Sequence, residues 1–289
     1  MQGTLRGKGR NGEVYWNEDF METKSNALRA VGSFAKAASV QFVKYFKDFL
    51  VLLDEFTDYI CDTVVFESIG TYEALMFALE KANKALGSSE TSVNNFWVTE
   101  VFSKFEELIN NTDDQQLVSE IICSIYVIVD HFGKDLFVGN NTIDRCIQIA
   151  KSLLSNQMPC QIKNEDAEED ELDYEEDIID SVKNLCLIFA EKLKNDFHPY
   201  FNELMPLLKK YLKTSHPEED RSLAFGIIAD VLKNSTISTK FFIEQLFTFI
   251  ESNLSLKKIN KKNESLLRHI AYLIGVLFES DPEAAKSRM

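Results

Sequence analysis

"HPYFNELMPLLKKYLKTSHPEEDRSLAFGIIADVLKN", residues 198–234, holds two apolar periods separated by a break. In the first, Tyr200, Phe201, Leu204, Leu207, Leu208, Tyr211 and Leu212 recur at the i, i+3, i+4, i+7 spacing that puts them on one face of a helix. Asn195 or Asp196 is expected to cap its start, and Pro199 is tolerated in a first turn. Pro206 lies mid-helix, deletes a backbone bond and is expected to kink the rod. After "TSHP" a second period sets Leu223, Ile227, Ile228, Val231 and Leu232 inward. The stretch reads as a helical hairpin.

The unit recurs on both sides. Towards the C-terminus, residues 238–254 present Phe242, Ile243, Leu246, Phe249 and Ile250. Residues 263–279 follow with Leu266, Leu267, Ile270, Ala271, Ile274, Leu277 and Phe278. Towards the N-terminus, "DIIDSVKNLCLIFAEKL" (177–193) offers Val182, Leu185, Cys186, Phe189 and Leu193, preceded by "TIDRCIQIAKSLL" (142–154). Earlier pairs are 95–109 with 115–133 and 41–53 with 63–86, and residues 21–38 look like a second helix whose partner is missing. Second helices start near residues 22, 64, 115, 178, 219 and 263, at intervals of about 42, 51, 63, 41 and 44. Paired helices with a period of about 40 to 47 residues are the mark of HEAT and armadillo repeats.

The predicted fold is therefore all-α, a HEAT-repeat α-solenoid of stacked antiparallel hairpins with about five to six repeats over residues 19–289. Each hairpin alone leaves one face uncovered, so it must stack on its neighbours, with first helices on one surface and second helices on the other. Turn-forming residues are few, 11 Gly and 5 Pro in 289, and period-two alternation is absent, which argues against strands. Residues 1–18 are Gly-rich and basic without a helical period and read as a flexible or expression-derived end.

The interval of 63 contains "NEDAEEDELDYEED" (164–177), ten carboxylates in the thirteen positions from Glu165 to Asp177. It reads as a loop, 163–177, inserted within one hairpin. Removing these ten acids from the formal net charge of −15 leaves −5, so the acidity is concentrated here. Close carboxylate pairs repel by about 1 kcal/mol in water, screened over about 8 Å, and the run lacks the apolar content to offset chain entropy. Leu172 and Tyr174 are the exceptions, a docking handle or an incidental pair.

A calcium loop fails because the run lacks the required spacing and its turn glycine. A solvated loop without a partner and an electrostatic grip for a basic surface both stay open, and the grip fits better. Turns inside repeats share one edge, so the run hangs where it can reach a bound partner, and lengthening a loop costs only about 0.6 kcal/mol per doubling. "LKKINKKN", with Lys257, Lys258, Lys261 and Lys262, falls on the same edge as a solvated turn or an internal partner of the acids. Local anionic charge argues against direct nucleic-acid binding.

No catalytic constellation emerges. His131, His198, His216 and His269 lie on or next to separate repeats, with His269 read as a helix-surface residue, and none of the nucleophile-elbow, phosphate-loop, dinucleotide or zinc-protease motifs occurs. The 22 Phe at helical spacing read as core. Five cysteines, at 61, 123, 146, 160 and 186, without a CxxC pair read as reduced thiols of the cytosol or nucleus. No cofactor, metal site or enzyme activity is expected. No apolar run is read as approaching the roughly 20 residues of a membrane span, so a soluble protein without membrane insertion is expected.

"PCQIKNEDAEEDELDYEEDIID", "FHPYFNELMPLL" and "EEDRSLAFGIIADVL" together resemble the importin-β (karyopherin-β) nuclear transport receptors, most closely their importin-four, Kap123-like subtype. "METKSNALRAVGSFAKAASVQFVKYFKDFL" is similar to an earlier repeat of that family. The resemblance runs from Asp19 to the end and is that of a central fragment, because family members are much longer.

It implies a receptor that shuttles between cytoplasm and nucleus. Such a receptor binds basic cargo with histone-like or ribosomal-protein-like signals, meets Phe-Gly nucleoporins, and releases cargo to Ran in its GTP form. By position, the acidic-loop contacts to Ran and cargo would fall on Glu165, Asp166, Glu168, Glu169, Asp170, Glu171, Asp173, Tyr174, Glu175, Glu176 and Asp177. The competing reading is a HEAT scaffold of a cytosolic enzyme complex, such as a phosphatase scaffold or an assembly factor.

Overall fold

In the computed structural model the residues described are 6–8, 14–16, 18–57, 61–87, 92–162, 173–235, 237–255 and 263–286. The chain divides into two units, Met1–Asn110 and Asn111–Met289. In the first, β1 (Arg6–Lys8) pairs antiparallel with β2 (Val14–Trp16), Gly7 facing Tyr15, within the segment read as lacking regular structure. Every other described element is helical.

Unit 1 continues with α1 (Glu18–Ala37), α2 (Ser39–Phe42), a 3-10 turn, α3 (Phe46–Thr57), α4 (Asp62–Leu86), α5 (Val93–Phe96) and α6 (Phe102–Asn111). The helix expected over 95–109 contains a π-helical stretch, Trp97–Val101, where the Ser103 hydroxyl donates to the Val98 carbonyl at 2.7 Å. The fully buried Trp97 lies tilted on Phe102, 5.1 Å between ring centres. α1 and α4 run side by side: Thr71 donates to the Leu28 carbonyl at 3.4 Å and Lys81 to the Lys36 carbonyl at 3.2 Å. Later residues of one meet later residues of the other, so the two are parallel, as second helices of successive hairpins must be.

Unit 2 contains α7 (Gln115–Phe132), α8 (Thr142–Leu154), α9 (Asp173–Leu193), α10 (His198–Tyr211), α11 (Glu218–Asn234), α12 (Ile243–Leu254), α13 (Glu264–Ser280) and the short α14 (Pro282–Lys286). α10 buries Phe201, Leu204, Met205, Leu208 and Tyr211, and runs through Pro206 without a break. No Asn195 or Asp196 side chain caps it. Lys194–Phe197 form a 3-10 turn leading directly into α10, so the expected cap is replaced by continued winding.

α11 differs from the single inward stripe expected. Arg221, Ser222, Ala224, Phe225, Gly226, Ile227, Ile228, Ala229, Val231 and Leu232 are all buried, while Leu223 is half-buried. The helix is sandwiched between α9 and α13, and its small residues allow close approach. A Cβ on Gly226 would stand 3.3 Å from the His269 ring.

The parallel order of the second helices is fixed by contacts at matching ends. Lys192 pairs with Asp130 at 2.6 Å, near the ends of α9 and α7. Lys194 donates to the Asn234 carbonyl at 2.8 Å, near the ends of α9 and α11. Ser222 meets Ser265 at 2.9 Å, near the starts of α11 and α13. First helices stack likewise through Lys151–Glu203 at 3.0 Å and Tyr211 to the Leu154 carbonyl at 3.0 Å.

One expectation is corrected. Gln115–Phe137 is long and apolar enough, by length and composition, to cross a membrane. In the fold 44% of its most apolar window is buried, Val118, Ile121, Ile122, Ile125, Ile128 and Val129 among it, and α7 lies against α9. A helix that packs into the core of a fold passes the same test of length and composition as a membrane span.

Candidate functional site

Because α7, α9, α11 and α13 are parallel, their N-termini share one edge of unit 2. The stem that precedes the acidic run is held there from both sides. After α8 the chain turns through Asn156, at φ 53°, into a 3-10 turn at Pro159–Gln161. Gln161 Nε2 donates to the Leu153 carbonyl at 3.0 Å and to Asn156 Oδ1 at 3.1 Å, closing the turn on α8. Gln115 Nε2 donates to the Cys160 carbonyl at 2.9 Å, tying it to the first turn of α7. Met158 and Cys160 are buried, and two residues later Ile162, the last described residue before the acidic run, is 70% exposed.

The run re-enters as α9. That helix begins at Asp173, four residues before the start read from apolar spacing. Carboxylates near a helix N-terminus interact favourably with its partial positive charge, which lets the acidic sequence wind where repulsion alone would oppose it. Ile178, Val182, Leu185, Cys186 and Phe189 are then buried, anchoring the far end.

The predicted contact residues divide accordingly. Glu165, Asp166, Glu168, Glu169, Asp170 and Glu171 lie outside the described residues, as do Leu172 and Lys257, Lys258, Lys261 and Lys262. The backbones of Asp173, Tyr174, Glu175, Glu176 and Asp177 form the opening of α9.

The edge holds further carboxylates that apolar spacing did not single out. Asp114 caps α7, its Oδ1 accepting from Gln116 N at 2.8 Å and Leu117 N at 3.2 Å. Burial raises the Cys160 thiol to about 11, with Asp114 and Asp113 adding to the rise, so both carboxylates stand close to the stem of the run. At α11, Glu218, Glu219 and Asp220 form the first turn. Three successive second helices thus begin in acid. The capping pattern "TDDQQ" at 112–116 was the signal available in the sequence for the first of these.

The histidines take separate roles. His131 is exposed, His198 meets Asn202 at 3.1 Å, and His216 lies 3.9 Å from Asp220. His269 is not a free surface residue: its Nδ1 is 2.7 Å from Ser222 Oγ at the α11–α13 contact, and burial lowers its pKa. Among the described residues no group of three His, Cys, Asp or Glu could hold a metal ion. Behind the edge, Arg221 and Asn253 form a buried polar lock. Arg221 Nη1 donates to Asn253 Oδ1 at 2.6 Å, and Asn253 Nδ2 donates to the carbonyls of Leu212 at 3.0 Å and Phe249 at 2.8 Å.

No protein-family model matches the chain, and no curated protein sequence does. Stacked parallel second helices over first helices are nevertheless the architecture of a HEAT-repeat solenoid, and solved structures of that class align with almost the whole chain. The chain is similar to the karyopherin Kap121p bound to the SUMO protease Ulp1p, at TM-score 0.72 and 15% identity, covering 99% of this chain and 26% of that one. Kap121p bound to Nup53p aligns at 0.69 and 15%, with 99% and 26% covered. Kap121p bound to RanGTP aligns at 0.66 and 13%, with 96% and 25% covered. The fold is that of the karyopherins, and the chain spans about a quarter of the length of Kap121p.

Proposed function

We propose that this chain is part of a karyopherin-β nuclear import receptor of the importin-four, Kap123-like subtype. In this reading it shuttles between cytoplasm and nucleus, and it grips basic cargo and Ran-GTP with the acidic run 163–177. The observation that carries the reading is the acidic edge on a karyopherin fold: Asp113 and Asp114, the opening of α9 at residues 173–177, and Glu218, Glu219 and Asp220 follow one another along the starts of α7, α9 and α11. A basic partner would meet a row of carboxylates. Kap121p, of the same fold, is bound to Ulp1p, Nup53p and RanGTP in the aligned structures, which supports protein cargo, nucleoporins and Ran as the partner classes. Neighbouring repeats contact only each other, so partners that prefer different curvature compete without sharing every contact.

The test is to replace the ten acids from Glu165 to Asp177 by Ser or Asn, and to titrate a lysine-rich cargo peptide and Ran loaded with a GTP analogue across a salt series. Affinity is expected to fall about tenfold or more and its salt dependence to flatten, while helix content by circular dichroism holds. Binding that is the same for both chains at every salt concentration refutes the grip.

A further inference from the structure

Four serines or threonines carry a carboxylate three residues further on: Ser103, Ser215, Thr248 and Ser280. Protein kinases with a basic substrate groove select for that spacing. At the third to fifth positions on, Ser215 is followed by Glu218, Glu219 and Asp220, and Ser103 by Glu106 and Glu107. Thr248 and Ser280 have one acid each there, Glu251 and Glu283. The fold separates the four. Ser103 lies in α6, and its hydroxyl donates to the Val98 carbonyl at 2.7 Å. Thr248 lies in α12 and donates to the Glu244 carbonyl at 3.1 Å. Backbone amides inside a helix are bonded along the chain, so neither residue extends into a kinase cleft without unwinding. Ser280 closes α13, where the partial negative charge of a helix C-terminus opposes a phosphate.

Ser215 differs from the other three. It is exposed in the turn between α10 and α11, and its hydroxyl has no hydrogen-bond partner among the described residues. Pro217 is extended, φ −49° and ψ 154°, and leads into Glu218, the first residue of α11. The backbone from Ser215 to the first recognition acid is therefore already free of helical bonding. α11 also starts without a side-chain cap, so a phosphate at Ser215 meets the favourable end of that helix, with Lys213 and His216 flanking it, against repulsion from the three carboxylates. The structure assigns Ser215 as the phosphoacceptor for an acid-directed serine/threonine kinase. Its Oγ attacks the γ-phosphorus of magnesium-bound ATP. The Oγ–P bond forms as the bond to the β,γ-bridging oxygen breaks, ADP leaves, and the hydroxyl proton passes to the kinase's catalytic base. The product carries about −1.5 to −2 charge at pH 7 into the turn before α11. The assignment is independent of the transport reading, because the kinase is the only partner it requires.

The experiment incubates the folded 289-residue chain with casein kinase II and magnesium ATP, and separately with cyclic-AMP-dependent protein kinase, which reads basic residues, as the control. Tandem mass spectrometry is expected to find phosphate on Ser215 with the first kinase and not with the second, and Ser215→Ala is expected to lose it. Glu218→Gln is expected to lower kcat/KM for Ser215 about tenfold, and Glu218→Asp to keep most of it. Arg221 retains Asn253 Oδ1 at 2.6 Å when Glu218 is neutralised, so the start of α11 holds, and circular dichroism checks that it does. Phosphate on Ser103, Thr248 or Ser280 in preference to Ser215, equal labelling by both kinases, a rate indifferent to Glu218→Gln, or no incorporation at all overturns the inference.

Discussion

Truncating Asn253 to alanine tests whether the polar lock behind the acidic edge holds two hairpins together. Asn253 is fully buried in α12. It accepts from the Arg221 guanidinium of α11 at 2.6 Å and donates to the Leu212 carbonyl at the end of α10 at 3.0 Å. A hydrogen bond to a charged group contributes about 1.5–3 kcal/mol, and a buried group left without its partner costs about 1–3 kcal/mol. Arg221 keeps the Pro217 carbonyl at 3.3 Å and Glu218 at 3.7 Å, so the charge is weakened in its pairing and not abandoned. The expected loss is about 3–4 kcal/mol, a large share of the about 5–15 kcal/mol typical of whole domains. Urea unfolding by circular dichroism measures the total, and amide exchange measures where it falls. Repeats couple to their neighbours, so protection should drop in α10, α11 and α12 and hold in α7. A loss under about 1 kcal/mol, or an equal drop in α7, would refute the reasoning.

Two other outcomes follow from the shifted groups. The His269 ring is held below its ordinary 6.5 by burial first, then by Lys183 and Arg268, with Asp230 opposing. The unfolded chain then binds the proton more tightly, so this contribution to stability is complete above pH 6.5 and is lost as pH falls below it; urea midpoints should decline there in the native chain and less in His269→Gln. Burial raises Cys186 to about 12 and, with Asp114 and Asp113, Cys160 to about 11, whereas Cys123 is exposed. Alkylation at pH 8 followed by mass spectrometry should label Cys123 well before Cys160 or Cys186, and equal rates would contradict the packing.

What the sequence made legible is the part of the fold governed by a one-sided stripe. α10 covers its apolar face against a single layer, so Phe201, Leu204 and Leu208 could be read from spacing alone. α11 could not be read this way. Enclosed by α9 and α13, it buries Arg221 and Ser222, whose partners Asn253 and His269 lie 32 and 47 residues away, a separation at which spacing carries no information. The Trp97–Val101 π turn inserts a residue into a helix whose apolar period continues on either side. The early start of α9 reflects a backbone charge that no side-chain pattern displays. The acidic run stood out by composition, but Asp113 and Asp114 joined it only once the turns were seen to share an edge.

Aligned second helices also bring the partial positive charge of their N-termini to the edge where Asp114 caps α7 and Glu218, Glu219 and Asp220 open α11. Stripping those carboxylates of their charge would leave the helix starts without the anions that complement them, so the first turns of α7 and α11 are expected to fray before the apolar core behind them is disturbed.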